Sequence, residues 1–351
     1  MRVLSLFDGM ACGMLAMQAA GIEVDRYVAF EIDKYAVQTS SHNFPMIEHR
    51  GDVFQADFTE FCGFDFLIGG SPCTYWSIAQ KNNREVEASG MGWELFSQYV
   101  RALHEAKPMF FIYENNKSMS KAIRESITQT FGFEPICINS ALVSAQNRQR
   151  LYWVGKRNPD GTYSRVHVDQ PEDRGILLRD VLDGAVAWQD KSFAYTTRCQ
   201  GAHIKDTLER HRHTMVAEPV CVAERGRYSA DGIEQHYEAR EDGKTYSVHE
   251  VKDGRITIKG KQYQIKLADG FYIIRKLTVS ECKRLQTVPE WYEFPVSDSQ
   301  AYKMLGNGWT VLVICHLIAA TQNDLVVSTQ NDASDCEQLN IFEMVEGGVF
   351  K

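Results

Sequence analysis

The feature that most restricts the fold is a regular alternation of short apolar runs and helix-like stretches over the first 155 residues. The apolar runs cover residues 3–7, 27–30, 64–68, 109–113 and 151–154, and the helix-like stretches cover 13–20, 34–42, 94–106 and 121–131. Short apolar runs of this kind predict buried strands, and strands that alternate with helices predict a parallel sheet with helices on both faces. The sequence therefore predicts an α/β fold for residues 1–155.

The alternation stops after residue 155, which indicates a second domain. Residues 156–270 are rich in Arg, His, Gly and turn signals, with strand-like pieces at 245–251, 255–259 and 262–267. We predict a smaller, irregular, β-rich domain there. Helix-like stretches at 277–286 and 309–320 predict that the chain returns to the first domain over 271–321. Residues 322–351 are polar and acidic and are expected to form a loosely held tail.

Composition excludes several classes of protein. Hydrophobic residues make up 44% and charged residues 24% of the chain, which is typical of a soluble globular protein. No apolar run approaches the roughly 20 residues of a membrane span, and the first eight residues are too short and too soon acidic for a signal peptide. Nine cysteines without CxxC spacing indicate reduced thiols and no metal site. We therefore expect a cytoplasmic protein without membrane contact.

The charge is distributed unevenly along the chain. The net charge is −8, yet residues 251–285 carry nine Lys or Arg and only three Asp or Glu. Local basic surface, and not net charge, is what meets phosphate groups. A basic surface for nucleic acid is one interpretation, and a solvated face is the other.

Small and acidic residues follow the first three predicted strands. The first strand leads into Phe7-Asp8-Gly9-Met10-Ala11-Cys12-Gly13, the second ends at Glu31 before Ile32, and a third turn carries Asp52-Val53. An acid at the end of the second strand commonly binds ribose hydroxyls. Together these turns predict a nucleoside pocket, with Phe7 for stacking, Glu31 for ribose and Asp52 for adenine. Because GxGxxG spacing is absent, we expect S-adenosylmethionine and not a dinucleotide.

A cysteine follows the buried run at 64–68. The sequence Gly69-Gly70-Ser71-Pro72-Cys73 places Cys73 just past the end of a strand, after a proline that stiffens the loop. The carboxyl ends of parallel strands are where open α/β sheets bind ligands. Cys73 is therefore a candidate nucleophile, although a single cysteine is more often an inert buried residue.

Eight segments form an ordered set of motifs along the chain: Phe7–Gly13, Glu31, Asp52, Gly70-Ser71-Pro72-Cys73, Tyr113-Glu114-Asn115, Gln146-Asn147-Arg148-Gln149-Arg150, Arg275–Pro289 and Gly306–Val311. In residues and order, this set resembles the motifs of the DNA (cytosine-5)-methyltransferases. The resemblance covers residues 1 to about 320 and implies a Rossmann-like, S-adenosylmethionine-dependent sheet with a target-recognition domain at 156–270. Some motif forms resemble the eukaryotic de novo enzymes, whereas the compact length is similar to bacterial or viral ones. Two residues depart from the family pattern: Asn116 replaces a usual valine, and Cys12 replaces a frequent glycine.

The resemblance implies a mechanism in which Cys73 adds to C6 of a cytosine flipped out of the duplex. Glu114 would be protonated, or share a proton, and hold N3 of the base. Arg150 would hold O2, and Arg148 would support the pocket or bind a phosphate. The pocket must favour the thiolate, because a free cysteine is only a few per cent ionised at pH 7. The base that removes the C5 proton is not identified.

The resemblance also implies two sets of binding residues. The expected cofactor contacts are Phe7, Asp8, Gly9, Met10, Cys12, Glu31, Ile32, Asp52, Val53, Pro72, Leu95, Asn307 and Trp309. The expected DNA contacts are Ser77, Gln80 and Arg84 in a mobile loop at 74–92, and Thr197, Arg198, Arg225 and Arg227 in the recognition domain. For the basic residues of that domain, a solvated loop is an equally good interpretation.

The expected partner is double-stranded DNA, and the expected state is a monomer, with a cognate restriction endonuclease as a further partner. The recognition sequence does not follow from the residues. An RNA cytosine-5 methyltransferase is the first alternative, and a catalytically silent DNA-binding relative is the second. The intact Cys73, Glu114 and Arg150 argue against the silent relative. A cofactor-binding dehydrogenase is the third alternative, and the missing glycine fingerprint argues against it.

Overall fold

A computed structural model describes residues 1–77, 84–197, 199, 203–220, 237–239 and 245–330. A large mixed sheet forms its centre. Its strands are β1 (Arg2–Leu6), β2 (Arg26–Phe30), β3 (Glu48–His49), β4 (Phe66–Gly69), β5 (Phe110–Asn116), β6 (Ile136–Asn139), β8 (Gln149–Arg157) and β9 (Tyr163–Arg165), while β7 (Gln146–Asn147) pairs with β10 (Ser192–Phe193) outside it. The order is β3-β2-β1-β4-β5-β8-β6, with β9 beside β8.

The sheet is parallel from β3 to β5 and antiparallel at β8. Strands β1, β4 and β5 are buried almost throughout, as expected for strands covered on both faces. The predicted strands in this region are all present. The predicted parallel sheet is present from β3 to β5, whereas β8 runs antiparallel to both β5 and β6, and β6 was not predicted.

Helices cover both faces of the sheet. They are α1 (Cys12–Ala19), α2 (Lys34–Asn43), α3 (Gly90–Ala106), α4 (Lys121–Phe131), α6 (Val279–Leu285), α7 (Asp298–Asn307) and α8 (Val311–Gln330). The short helix α5 (Ile204–Leu208) packs instead against a separate cluster that contains Val251 and Ile256. One core cluster contains residues of α1, α6 and α8, and a second contains residues of α3 and α4. Local sequence sets several helix ends: Ser120 caps the first turn of α4, and Gly132 (φ 82°) ends it.

A second sheet forms from the later part of the chain. Its strands are β11 (Met215–Pro219), β12 (Tyr237–Ala239), β13 (Thr245–Lys252), β14 (Arg255–Ile258), β15 (Lys261–Gln264) and β16 (Gly270–Lys276), in the order β11-β16-β13-β14-β15, with β12 beside β13. All these pairings are antiparallel. The sheet has its own small core, which includes Val251, Ile256 and Tyr263. Strand β16 extends beyond residue 270, where the sequence placed the end of this domain, and α8 extends beyond residue 321.

In the described part of the chain, one helical segment, Asp298–Asp324, is long and apolar enough to cross a membrane by length and composition. No membrane-spanning segment was predicted from the apolar runs of the sequence. Its most apolar 18-residue window has a mean hydropathy of 1.5, and 61% of that window is buried inside the structure. Because α8 packs against α1 and buries Val313, Ile314 and Leu317 completely, it lies in the position of a core helix.

Candidate active site at the carboxyl edge of the sheet

The turn that carries Cys73 is held tightly against strand β5. A Cβ atom built on Gly70 would lie 2.8 Å from the Glu114 backbone oxygen and 3.0 Å from its Oε2, so only glycine allows this approach. The Ser71 and Tyr113 hydroxyls are 2.7 Å apart, and Asn115 Nδ2 donates to the Ser71 carbonyl at 3.2 Å. These contacts fix the half-buried Cys73 at the end of β4, beside β5.

Asn116, which departs from the family pattern, helps to orient the Asn115 side chain that donates to the Ser71 carbonyl. Its backbone N and its Nδ2 both donate to Asn115 Oδ1, at 2.8 and 3.2 Å. Its own Oδ1 accepts from the Ser118 hydroxyl at 2.7 Å. Asn116 is buried, so these bonds satisfy an amide that would otherwise be costly to bury. The Asn116 side chain therefore holds the Asn115 amide, whereas the Glu114 carboxylate is held by Arg150 and Trp309.

Glu114 and Arg150 form an ion pair at the same edge. Arg150 Nε lies 3.1 Å from Glu114 Oε1, and their side chains are only 15% and 13% exposed. Trp309 Nε1 donates to Glu114 Oε2 at 3.0 Å. Strand pairing explains the meeting, because Arg150 in β8 is the antiparallel partner of Asn116 in β5. The site therefore holds a carboxylate whose two oxygens are both fixed by donors from distant parts of the chain.

The electrostatics of Cys73 depend on the same residues. Burial raises the pKa of its thiol above the ordinary value, the positive charge of Arg150 lowers it, and the negative charge of Glu114 raises it again. The expectation that the pocket favours the thiolate is therefore wrong for the free protein, because desolvation outweighs the arginine. A substrate that takes over the Glu114 carboxylate would change this balance in favour of the thiolate.

Arg148 lies beneath the site and not at its surface. Its guanidinium is buried and donates to the backbone oxygens of Tyr195 (2.8 Å), Gly308 (2.8 Å) and Gly306 (3.2 Å). Burial lowers the pKa of Arg148 to about 10, so the group stays charged at neutral pH. Since its donors are directed at protein carbonyls, Arg148 supports the pocket, and these contacts leave a phosphate-binding role without support.

The buried side-chain amides of Gln146 and Gln286 add further hydrogen bonds to those of Arg148. Gln146 Oε1 accepts from the Tyr195 backbone N at 2.6 Å, and its Nε2 donates to the Leu285 carbonyl at 3.1 Å. Gln286 Nε2 donates to the Leu305 carbonyl at 2.6 Å, and its Oε1 accepts from the Thr310 hydroxyl at 3.0 Å. The network joins β7, α6 and α7 behind the site.

The turn after β1 has an unusual backbone. Phe7, Gly9 and Ala11 adopt φ values of 58°, 61° and 60°, which are uncommon for residues other than glycine. Gly9 N donates to Glu31 Oε2 at 2.8 Å, while Glu31 Oε1 accepts from the backbone N of Ile32 and of Asp33, each at 2.8 Å. The turns after β1 and β2 are therefore locked together by the predicted ribose carboxylate.

Asp8 is buried under this turn. Its Oδ1 accepts from the hydroxyls of Ser5 (2.6 Å) and Tyr27 (2.7 Å), and its Oδ2 is buried without a hydrogen-bond partner. Burial raises the pKa of Asp8 to about 6. Met10 and Cys12 are also buried, and burial raises the pKa of the Cys12 thiol to about 12.

The apolar part of the predicted pocket comes from exposed side chains. Ile32 is 77% exposed, whereas the side chain of Val53 is buried in the core. Phe54, which the sequence analysis did not select, is 45% exposed and is next in the chain to Val53. Asp52 accepts from the Phe54 backbone N at 3.0 Å. The feature that identifies Phe54 is a large aromatic side chain that remains exposed two residues after the acidic Asp52.

The remaining cofactor candidates lie at different depths. Pro72 and Asn307 are exposed, while Leu95 and Trp309 are partly buried against the cores. A Cβ on Gly308 would lie 3.2 Å from Cys12 Sγ, so the turn before α8 packs directly against the start of α1.

The DNA candidates are only partly described. Ser77 is half-buried, and its backbone N donates to the Cys73 carbonyl at 2.9 Å, while Thr197 is exposed. Arg84 donates to the carbonyls of Trp76 (3.1 Å) and Ser118 (2.6 Å), so in this conformation its guanidinium binds protein. The predictions for Gln80, Arg198, Arg225 and Arg227 lie outside the described residues.

The comparison with solved structures agrees with the α/β fold described above. The chain is similar to a putative DNA modification methyltransferase from an E. coli prophage (TM-score 0.55, 19% identity, covering 93% of this chain and 99% of that one). It is also similar to the Dnmt2 methyltransferase of S. pombe (TM-score 0.56, 16% identity, covering 92% and 99%). The predicted fold class is confirmed.

The sequence comparisons give the family. The chain belongs to the C-5 cytosine-specific DNA methylase family, whose match covers residues 1–323. It is 25% identical over 368 residues to the type II methyltransferase M.FnuDI of Fusobacterium nucleatum, covering 98% of this chain and 100% of the relative. It is 28% identical over 330 residues to M1.ScrFI of Lactococcus lactis subsp. cremoris, covering 91% and 77%. The predicted family and enzyme class are confirmed.

Proposed function

We propose that this enzyme transfers a methyl group from S-adenosylmethionine to C5 of a cytosine within a specific sequence of duplex DNA, with Cys73 as the nucleophile. The observation that carries the proposal is the meeting of a cysteine, a glutamate and an arginine at one edge of the sheet. Cys73 comes from the turn after β4, Glu114 from β5 and Arg150 from β8. The Arg150–Glu114 pair is 3.1 Å long, and both charges act on the Cys73 thiol.

The residues at the first three strand ends fit S-adenosylmethionine. Exposed Ile32 and Phe54 offer apolar surface for a purine ring, and the carboxylates of Glu31 and Asp52 flank them along the chain. The left-handed turn at Phe7 and Gly9 leaves open space around Gly9, where a Cβ would meet nothing within 4 Å. When bound, S-adenosylmethionine supplies an activated methyl group.

The chemistry on the base follows from the positions of the three side chains. The Cys73 thiolate forms a bond to C6, and the electron pair of the C5–C6 double bond becomes available at C5. Glu114 holds N3 and Arg150 holds O2, so the charge that develops on the ring is placed between two fixed partners. After methylation, loss of the C5 proton to a base restores the double bond as the Cys73–C6 bond breaks.

Glu114 must change its partners during this reaction. In the free protein both of its oxygens accept hydrogen bonds, one from Arg150 and one from Trp309. To hold N3, one of these oxygens has to exchange its donor for a proton, and the resulting O–H then donates to the N3 lone pair. Release of Arg150 from Oε1 would make its guanidinium available to O2, so one movement would prepare both contacts.

Cytosine C6 is inaccessible in a stacked duplex, so the base must be flipped out, at a cost of a few kcal/mol. The domain at residues 156–270, which contains strands β11 to β15 of the second sheet, is the candidate for sequence recognition. A cytoplasmic monomer that acts on duplex DNA, alone or beside a cognate endonuclease, is the setting that we propose.

The test is methyl transfer by the purified chain to duplex DNA, single-stranded DNA and tRNA, with labelled S-adenosylmethionine. Duplex DNA that contains 5-fluorocytosine should trap a covalent complex, because fluorine at C5 cannot leave as a proton does. Cys73→Ala should abolish the complex, and the matched control Cys62→Ala, at an exposed cysteine, should retain it. Methylation of tRNA alone would transfer the proposal to the RNA branch, and a complex with Cys73→Ala would contradict the assigned nucleophile.

A further inference from the structure

Glu85 lies between the turn that carries Cys73 and the first turn of α3, and its carboxylate contacts both. Oε2 accepts a hydrogen bond from Trp76 Nε1 at 3.1 Å. Both oxygens accept from the Gly92 backbone N, at 3.2 and 3.1 Å. The backbone N of Glu85 also donates to the Tyr75 carbonyl at 2.9 Å. One residue thus joins two separate segments through four hydrogen-bond contacts.

The start of α3 depends on this carboxylate. The first N–H groups of a helix have no partner within the helix, and a negative charge near them is stabilising. The residue before α3, Ser89, makes no side-chain capping bond, and the first turn contains no acidic residue. A Cβ on Gly92 would lie 2.6 Å from Glu85 Oε2 and 2.5 Å from Trp76 Nε1, so the three groups are in close contact.

The other contact of Glu85 leads to the nucleophile. Trp76 is fully buried, and its backbone N donates to the Cys73 carbonyl at 3.1 Å. From the other end, α3 places Phe96 against Tyr113 of β5, with ring centroids 5.2 Å apart. The contacts therefore run from Cys73 through Trp76 and Glu85 to α3, and from α3 to the strand that carries Glu114.

We propose that Glu85 is a positioning residue, which fixes the Cys73 turn against α3 and so sets the place of the thiol relative to Glu114. It acts through the Trp76 indole and does not touch the substrate. Its catalytic consequence rests on the proposed function, whereas its effect on the thiol does not. An indole N–H provides a directed bond that a phenyl ring at the same position lacks, so Trp76→Phe tests the route directly.

The first measurement is steady-state methylation by Glu85→Ala, Glu85→Gln and Trp76→Phe. Glu87→Ala is the matched control, since it removes an exposed carboxylate two residues away. Glu85→Ala should lower kcat by about tenfold or more, because small displacements of a reacting group have large effects on rate. Glu85→Gln keeps one acceptor oxygen and should lose less. The control should stay within about twofold.

The second measurement needs no methyl transfer: alkylation of the free protein, with the modified cysteines resolved by peptide mass spectrometry. The rate at Cys73 is divided by the rate at exposed Cys62, which cancels reagent effects. Glu85→Ala should raise this ratio by about threefold or more, because exposure controls thiol access. Adding Trp76→Phe to Glu85→Ala should produce no further change. Glu87→Ala should leave the ratio unchanged.

An unchanged ratio in both Glu85→Ala and Glu85→Gln would overturn the proposal. An equal rise of both alkylation rates also leaves the ratio unchanged, and it would indicate general loosening of the fold. If the ratio shifts but the wild-type protein methylates no nucleic acid, the proposed function fails while the positioning role of Glu85 stands.

Discussion

The hydrogen bonds of Arg148 to backbone carbonyls lead to a quantitative prediction that distinguishes an arginine with a structural role from one that takes part in the reaction. Arg148→Met removes the donor of three hydrogen bonds: those to the carbonyls of Tyr195 and Gly306 are buried, and that to Gly308 is partly buried. A buried acceptor left without a donor costs about 1–3 kcal/mol, and relief from burying the guanidinium offsets part of this sum. We expect a net loss of about 3–5 kcal/mol, which lowers Tm by roughly 4–7 °C in a chain of this size.

The assay is thermal unfolding of the ligand-free protein by circular dichroism, with Arg150→Met as the matched variant. Arg150 pairs with Glu114 near solvent, and Glu114 keeps its bond from Trp309. We therefore expect Arg150→Met to lose less than half as much stability as Arg148→Met while it abolishes methyl transfer. An Arg148→Met protein that melts like the wild type but is inactive would refute the reasoning, because Arg148 would then act in the chemistry.

Three further predictions concern the same edge of the sheet. Burial raises the pKa of Asp8 from 3.8 to about 6, so ionisation of Asp8 in the folded protein costs about 3 kcal/mol of stability. When Tm is measured against pH, the wild type should lose this stability as pH rises from about 4 to 6. Asp8→Asn should not show this loss. Gly70→Ala should lower kcat at least tenfold, since its Cβ would lie 2.8 Å from a Glu114 backbone atom; unchanged kinetics would show that the turn can move freely. Alkylation of Cys73 should have its midpoint at a higher pH than a free cysteine peptide, because burial raises its pKa, and Arg150→Met should move it higher still; a midpoint below the peptide value would contradict this balance.

The sequence predicted the meeting of Cys73 and Glu114 for a simple reason. Both residues end or follow strongly apolar strands, and neighbouring parallel strands bring their carboxyl ends to one edge. Helix α7 also had a usable pattern, since Ala301, Met304 and Leu305 are its buried positions and have helical spacing, yet it was not predicted. Strands β4 and β5 and helix α7 each have a local pattern of apolar residues, and such a pattern is visible in the sequence alone.

The parts that the sequence did not predict depend on distant partners. The carbonyls that bind Arg148 lie 47, 158 and 160 residues away in the chain, so nothing near it distinguishes a brace from a substrate contact. The raised pKa of the Cys73 thiol arises from burial by packing of the whole edge. The direction of β8 follows from its pairing with β5 and β6, and its apolar run is equally compatible with a parallel strand. Glu85 is one acid in a polar loop and has no sequence signal.

The most direct test of the account is bisulfite sequencing of duplex DNA after incubation with the purified chain and S-adenosylmethionine, beside Cys73→Ala. We predict 5-methylcytosine confined to one short sequence with the wild type, and none with the variant, which should still bind the DNA. Methylcytosine of equal yield with Cys73→Ala, or none with the wild-type protein, would contradict the assignment of Cys73 as the nucleophile of a sequence-specific DNA cytosine methyltransferase.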